Sequence, residues 1–341
     1  MLTITSIGVP DSPARTSAPV REPLRIGAVQ HRWHPDPVEH VAALRAGAVT
    51  AANLGARLVC FQELTLSRYF ADTPPSERGA PGGGPDHGDG GGGRPVALAE
   101  RIEDGPTRVL ATQLATELGI AVHMSLYERA DADVDAGLDG GGDGLGFNTA
   151  IVVGPDGTLL ARTRKLHIPV TAGYHEDRYF RPGPAAGADS FPVLTVDDAR
   201  LGFPTCWDQW FPELARAYGL AGADVLVYPT AIGSEPDHPA FDTEPLWRTV
   251  IVGSGIANGT FMVAVNRIGC EGSLTFYGSS FISDPYGRVL VRAPRDSPAV
   301  LVADLDLDQR RDWLTLFPFF TTRRPDTYTP LTVPRSDRSP S

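Results

Sequence analysis

Three side chains of different type stand where this chain could carry out nucleophilic acyl transfer. Cys206 lies in Gly202-Phe-Pro-Thr-Cys-Trp-Asp-Gln-Trp-Phe-Pro-Glu213. The apolar run before it reads as the end of a strand. Pro212 and Glu213 suit the first turn of a helix, where the missing proline N–H costs nothing and a carboxylate meets the positive end of the dipole. Leu214, Ala215, Ala217, Tyr218 and Leu220 continue the helical pattern, and Gly222 marks its stop. A cysteine on such a strand-to-helix bend faces backbone N–H groups that favour a thiolate. Taken alone, a single cysteine is more often a buried structural residue.

Two further observations shift that balance. The chain holds 30 Lys plus Arg, and Lys165 is its single lysine. The Ala-, Gly-, Pro- and Arg-rich composition fits a GC-rich genome, which drifts from Lys to Arg wherever either will serve. The two are not equivalent where a compact ammonium with a tunable pKa is needed, so a surviving lysine is a candidate for chemistry. Glu63 closes the strand-like run Ala56-Arg-Leu-Val-Cys-Phe-Gln62. A carboxylate at the end of a buried strand must be paired or hydrogen-bonded. Glu63, Lys165 and Cys206 each follow an apolar run, and in α/β folds sites gather at strand ends.

The elements that would position these groups read from periodicity. Residues 24–30 form a strand. Asp36 caps a helix running to Leu54, with Pro37 at its first position and Val41, Leu44, Ala48 and Ala52 at helical spacing. Residues 57–62 are a strand delivering Glu63, followed by a helix over 106–119 and a strand over 120–128. Strands over 148–153 and 158–163 make a hairpin about Pro155-Asp-Gly157 whose second arm runs into Lys165. Strand material at 193–201 precedes the Cys206 bend. Strands at 224–228, 261–266, 279–284, 288–292 and 300–305 and a helix at 244–258 complete the pattern. This alternation argues an α/β fold, with two sheets face to face and helices outside. Residues 1–22 read as a loose tail, 23–305 as the domain, and 306–341 as a C-terminal tail expected to leave the domain body and pack on a partner subunit.

Other features exclude more than they suggest. The Pro- and Gly-rich stretch at 73–94 lacks a phosphate-loop pattern and reads as a surface loop. The acidic, Gly-rich excursion at 131–146 lacks EF-hand spacing. His167 and His175 lack metal-ligand spacing. A net charge of −11 argues against nucleic acid and anionic membrane surfaces as partners. No apolar run is long enough for a transmembrane helix, and residues 1–22 lack the pattern of a signal peptide. Cys60, Cys206 and Cys270 make no disulfide framework, which points to the cytoplasm.

The contexts Phe-Gln-Glu63-Leu, Arg-Lys165-Leu-His-Ile-Pro and Cys206 through Glu213 resemble the nitrilase (carbon–nitrogen hydrolase) superfamily, whose triad is Glu, Lys and Cys in that chain order. Tyr228-Pro-Thr-Ala-Ile-Gly-Ser-Glu-Pro236, Asn266-Arg-Ile-Gly269 and Thr275-Phe-Tyr-Gly-Ser-Ser-Phe281 are similar to its N-carbamoylputrescine amidase subgroup, over roughly residues 24–329. The resemblance implies a four-layer α-β-β-α sandwich and a thiol hydrolase of non-peptide C–N bonds. It implies Glu63 as general base and later acid, Lys165 and the Trp207 backbone N–H as oxyanion donors, and Cys206 as nucleophile. Glu176, in Glu-Asp-Arg-Tyr-Phe, matches the second glutamate of many relatives. No metal or organic cofactor is implied. The expected substrate is a small carbamoyl or amide compound with a cationic end. Glu235 would read that cation, Tyr69 and Trp207 would wall the aliphatic chain, and the protein would be a homo-oligomer. An aliphatic amidase, a nitrilase, a β-ureidopropionase-like enzyme and a non-catalytic binding protein on this fold stay open at this point.

Overall fold

The computed structural model describes residues 1–75, 95–130 and 144–333. Most of the Gly-rich stretch at 73–94 and of the acidic excursion at 131–146 therefore lies outside the described residues.

Among the described residues two main sheets face each other. The first contains β1 (Leu2–Ser6), β2 (Leu24–Gln30), β3 (Leu58–Phe61), β4 (Ala121–Glu128), β5 (Phe147–Val153), β6 (Leu159–Arg164) and, from the far end of the chain, β15 (Ala299–Leu305). The second contains β7 (Leu194–Val196), β8 (Ala199–Gly202), β9 (Val225–Pro229), β10 (Phe261–Val265), β13 (Phe281–Ser283) and β14 (Val289–Arg292). A separate hairpin pairs β11 (Ile268–Glu271) with β12 (Leu274–Tyr277). The first sheet runs β1-β15-β2-β3-β4-β5-β6 and the second β14-β13-β10-β9-β8-β7.

Side-chain alternation explains the layering, because successive residues of a strand point to opposite faces. In β2, Ile26 and Ala28 enter the core between the sheets, while Val29 enters the core under the helices. In β15, Leu301 and Ala303 face the second sheet, and Val300 and Val302 face outward. Helices α1 (Pro37–Asn53) and α2 (Pro106–Leu118) cover that outer face through Leu44, Ala48, Ala51, Leu110, Ala111 and Leu114. Helices α3 (Pro212–Leu220) and α4 (Glu244–Asn258) cover the second sheet through Leu214, Tyr218, Trp247 and Ile251. The result is a four-layer α-β-β-α sandwich. Asp36 caps α1 by accepting from the Val38 N–H at 2.8 Å, as its position suggested.

Two expectations at the chain ends are corrected. Residues 1–22 are not a loose tail: β1 adds in parallel to the edge of β15, from Leu2↔Ala299 to Ser6↔Ala303. Ile4 packs on the inter-sheet core, Ser12 donates to Asp312 at 2.8 Å, and Arg21 pairs with Asp224 at 2.6 Å. The chain also does not leave the domain body at residue 306. Helix α5 (Asp308–Leu316) lies against its own chain, with Trp313 Nε1 donating to the Ile256 carbonyl at 2.9 Å and Arg310 to the carbonyls of Asn258 and Gly219 at 2.7 Å each. No helix among the described residues is long and apolar enough to cross a membrane.

Candidate active site

β3 and β6 of the first sheet and β8 of the second end close together, so Glu63, Lys165 and Cys206 meet where the two sheets face each other. β8 leads into the bend that bears Cys206. Gly202, its last residue, has no room for a side chain: a Cβ there would lie 2.5 Å from the Tyr218 ring. The chain then passes through a short 3-10 turn, Cys206–Trp210, before α3 begins at Pro212. The strand-to-helix bend read from the sequence is present, with this turn inserted in it. Cys206 itself is left-handed, with φ of 39°, a conformation that costs a non-glycine residue about 1–2 kcal/mol. Cys206 and Trp207 open the turn, where backbone N–H groups have no acceptor inside the helix. Asp208 locks the bend, accepting from the Thr205 N–H at 3.1 Å and the His167 N–H at 2.9 Å. That second bond ties the Lys165 segment to the Cys206 turn. His167 stacks on Phe211 and bonds Asp208 through Nδ1.

Lys165 is buried between two carboxylates. Its Nζ lies 2.9 Å from Glu63 Oε1 and 2.6 Å from Glu176 Oε2. Burial alone would lower the ammonium's pKa, but the charges of Glu176 and Glu63 raise it above the ordinary lysine value, so it stays a cation. Glu176 is pushed up to about 7, by burial first and by the Glu63 charge, against the pull of Lys165. Tyr69 donates its hydroxyl to Glu176 Oε1 at 2.9 Å. Expected as a wall for substrate, Tyr69 is fully buried, with edge contacts to Tyr174 and Phe276, and its polar end is committed to Glu176.

The Cys206 thiol is raised well above its usual range by burial and by the charges of Glu63 and Glu176. Lys165 and a backbone hydrogen bond with Ala231 pull the other way. A thiol raised in this way would need a base to act as a nucleophile. Glu63 has the groups for that role. Its Oε1 accepts from Lys165 and from Asn148 Nδ2 at 2.7 Å, while Oε2, also buried, has no hydrogen-bond partner among the described residues.

A second set of contacts holds the Glu63 turn, and sequence reading missed it. Leu64 is left-handed, with φ of 49°. Fully buried Arg267 donates through Nη2 to the carbonyls of Glu63 at 2.8 Å and Leu64 at 3.0 Å. Its Nη1 pairs with Glu271 at 2.7 Å, and Glu271 accepts the Tyr69 N–H at 2.7 Å. The string Asn266-Arg-Ile-Gly269 had marked Arg267 without revealing this role. Asn148 had read as the opening residue of a strand.

Glu235 lies farther out and is half-buried. Thr243 Oγ1 donates to it at 3.4 Å. Burial raises its carboxyl, which Thr243 and His238 partly offset. Tyr174 feels the charges of Glu235, Cys206 and Glu176, and its hydroxyl is pinned between the Gly233 N–H and the Ser234 carbonyl. Trp207 is half-exposed, its ring 6.4 Å from that of Trp210.

A thiol, a carboxylate with one oxygen free, and an ammonium fixed beside them can attack and cleave an acyl–nitrogen bond. The chain matches the family model described as "Carbon-nitrogen hydrolase" over residues 25–314. The protein is a carbon-nitrogen hydrolase. This hydrolase is 34% identical to the N-carbamoylputrescine amidase of Arabidopsis thaliana, across 90% of this chain and 95% of that one. It is 32% identical to the citrullinase of Francisella tularensis, across 89% and 96%. The crystal structure of a carbon-nitrogen hydrolase from Helicobacter pylori superposes with a TM-score of 0.73 at 27% identity, across 92% of this hydrolase and 99% of that chain. The match shares the sandwich fold described above.

Proposed function

We propose that this hydrolase cleaves a small N-carbamoylated amine with a cationic far end, of the N-carbamoylputrescine type, through a carbamoyl thioester on Cys206. The observation that carries the reading is that Glu235 and Cys206 both act on the buried Tyr174 hydroxyl. Glu63 acts on Cys206, and half-buried Glu235 reaches the same tyrosine that Cys206 does. Among the described residues no Arg or Lys pairs with Glu235, and a part-buried carboxylate gains most from a charge-assisted partner. A terminal ammonium supplies one.

Glu63 Oε2 takes the thiol proton as Cys206 Sγ attacks the ureido carbon. Lys165 and the Trp207 backbone N–H hold the oxyanion, and Glu63 returns the proton to the departing amine. Water, deprotonated by the same carboxylate, releases carbamate, which decomposes to ammonia and carbon dioxide. Glu176 and Tyr69 keep Lys165 charged and oriented. Trp207, beside the nucleophile, flanks the aliphatic chain.

A second reading is citrulline, which carries the same ureido head. Its far end bears a carboxylate as well as an ammonium, and His238 acts on Glu235 from close by. Ammonia release from N-carbamoylputrescine, citrulline, N-carbamoyl-β-alanine and a simple aliphatic amide tests the proposal. The carbamoylated diamine is expected to lead by at least about tenfold in kcat/KM, the worth of ~1.4 kcal/mol of differential binding. Preference for N-carbamoyl-β-alanine or the aliphatic amide would overturn it.

A further inference from the structure

The two oxygens of Glu63 are not equivalent. Oε1 receives Lys165 Nζ at 2.9 Å and Asn148 Nδ2 at 2.7 Å, and Oε2 receives no donor among the described residues. Lys165 alone would not enforce that division, because an ammonium is a compact point charge that can serve either oxygen. Asn148 is directional, and its surroundings fix its direction. A carboxylate only accepts, so the amide nitrogen must be the end that faces Glu63. The amide oxygen then faces Ser125, whose hydroxyl accepts the Leu64 N–H at 3.0 Å and so turns its own proton toward Asn148 Oδ1 at 3.4 Å. The chain of donors is closed: Leu64 N–H to Ser125, Ser125 to Asn148, Asn148 to Glu63.

The Asn148 backbone adds a second tie. Its carbonyl accepts the Lys165 N–H at 2.8 Å, so one residue of β5 holds the base by its side chain and the lysine by its main chain. Asn148, Ser125, Glu63 and Lys165 are all buried. We infer that Asn148 is a positioning residue that anchors Glu63 Oε1 and thereby reserves Oε2 for the proton of the Cys206 thiol. The inference rests on the reading of Glu63 as the base.

The charged and titratable groups around that carboxylate are Lys165 from the end of β6, Cys206 from the bend after β8, Glu176 from the loop after Lys165, and Tyr69 from the segment after β3. Arg267, after β10, acts on its backbone carbonyl. Loss of the Asn148 donor removes a hydrogen bond that favours the charged carboxylate and leaves the other charges in place.

Alkylation of Cys206 by iodoacetamide reads this proton transfer without any substrate. The rate is followed against pH by peptide mass spectrometry in wild type, Glu63→Gln, Asn148→Leu and Asn148→Asp. Asn148→Leu is expected to slow labelling near pH 7 by about tenfold, within the worth of one hydrogen bond to a charged group, and to move the acid limb to higher pH. Asn148→Asp, which sets a like charge against Glu63, should move it further. A folded Asn148→Leu with the wild-type profile, while Glu63→Gln is slow, overturns the inference alone. Wild-type labelling in Glu63→Gln overturns the reading of Glu63 itself. If Asn148→Leu does not fold, Ser125→Ala removes the contact that orients the amide, together with the acceptor of the Leu64 N–H, and leaves the Asn148 donor in place. The same upward move is then expected, and an unchanged profile overturns the inference.

Discussion

The Lys165 ammonium lies closer to Glu176, at 2.6 Å, than to Glu63, at 2.9 Å. The contact with the more distant residue of the mechanism is thus the shorter one. Glu176 pairs with the cation, and in the proposed mechanism Glu63 keeps its second oxygen for the thiol. One lysine between two buried carboxylates leaves little space for any other cation. Lys165→Arg is therefore expected to be nearly as damaging as Lys165→Ala. The guanidinium is larger and planar and cannot replace an ammonium wedged at these distances. Each variant should lose about a hundredfold or more in kcat, the scale of a lost oxyanion donor. Retention of most kcat in Lys165→Arg, measured as ammonia release, would mean that the single lysine survived by chance.

Glu176 carries a pH signature. Its carboxyl stands at about 7 in the folded chain against an ordinary 4.5. The folded state holds that proton more tightly than the unfolded chain does. Its contribution to stability is therefore full below about pH 4.5 and is lost as pH rises toward 7. Glu176→Gln cannot titrate. The Tm of Glu176→Gln minus that of wild type should grow as pH rises from about 4.5 to 7. A difference independent of pH in that window would contradict the raised carboxyl.

Arg267 should report on stability and activity together. Truncation to Ala leaves Glu271 buried without its cation and frees the carbonyls of Glu63 and Leu64. A loss of about 3–5 kcal/mol is expected in denaturant unfolding, the cost of breaking a buried pair from one side. A fall in kcat should accompany it in the protein that remains folded. A variant as stable as wild type would mean that the turn bearing Glu63 is held by other contacts.

Specificity should reside in Glu235. Glu235→Gln is expected to cut kcat/KM for a cationic carbamoyl substrate by roughly ten- to a thousandfold, and to leave an uncharged carbamoyl-alkylamine little changed. Equal loss on both substrates would make Glu235 a support of the site. No loss on either would remove it from the pocket and weaken the diamine reading.

What could be read from the sequence divides along physical lines. Glu63, Lys165 and Cys206 were legible because each follows an apolar strand run, and because a lone lysine among arginines is conspicuous. The helix beginning at Pro37 and the turn at Pro155-Asp-Gly157 carry their own local signals. β1 was missed because Leu2 and Ile4 alternate with polar residues over only five positions, and its pairing partner lies almost 300 residues away. The hairpin β11–β12 was missed because no apolar run marks it, and Gly272 between its arms could equally belong to a loop. Asn148 and Arg267 act through contacts that span tens to hundreds of residues, 85 in the case of Asn148 and Glu63. No local spacing encodes such contacts. Tyr69 shows the converse: the sequence singled it out as a wall for substrate, and only packing could show that its hydroxyl is bonded to Glu176.

The central claim is that Cys206 becomes covalently carbamoylated during turnover. Wild-type protein mixed with N-carbamoylputrescine, quenched in acid within the first turnovers and digested, gives the most direct measurement by peptide mass spectrometry. The predicted result is one carbamoyl group on the peptide containing Cys206, absent without substrate, with no ammonia released by Cys206→Ala. A carbamoyl group on Cys60 or Cys270 instead, or full turnover by Cys206→Ala, would contradict the account.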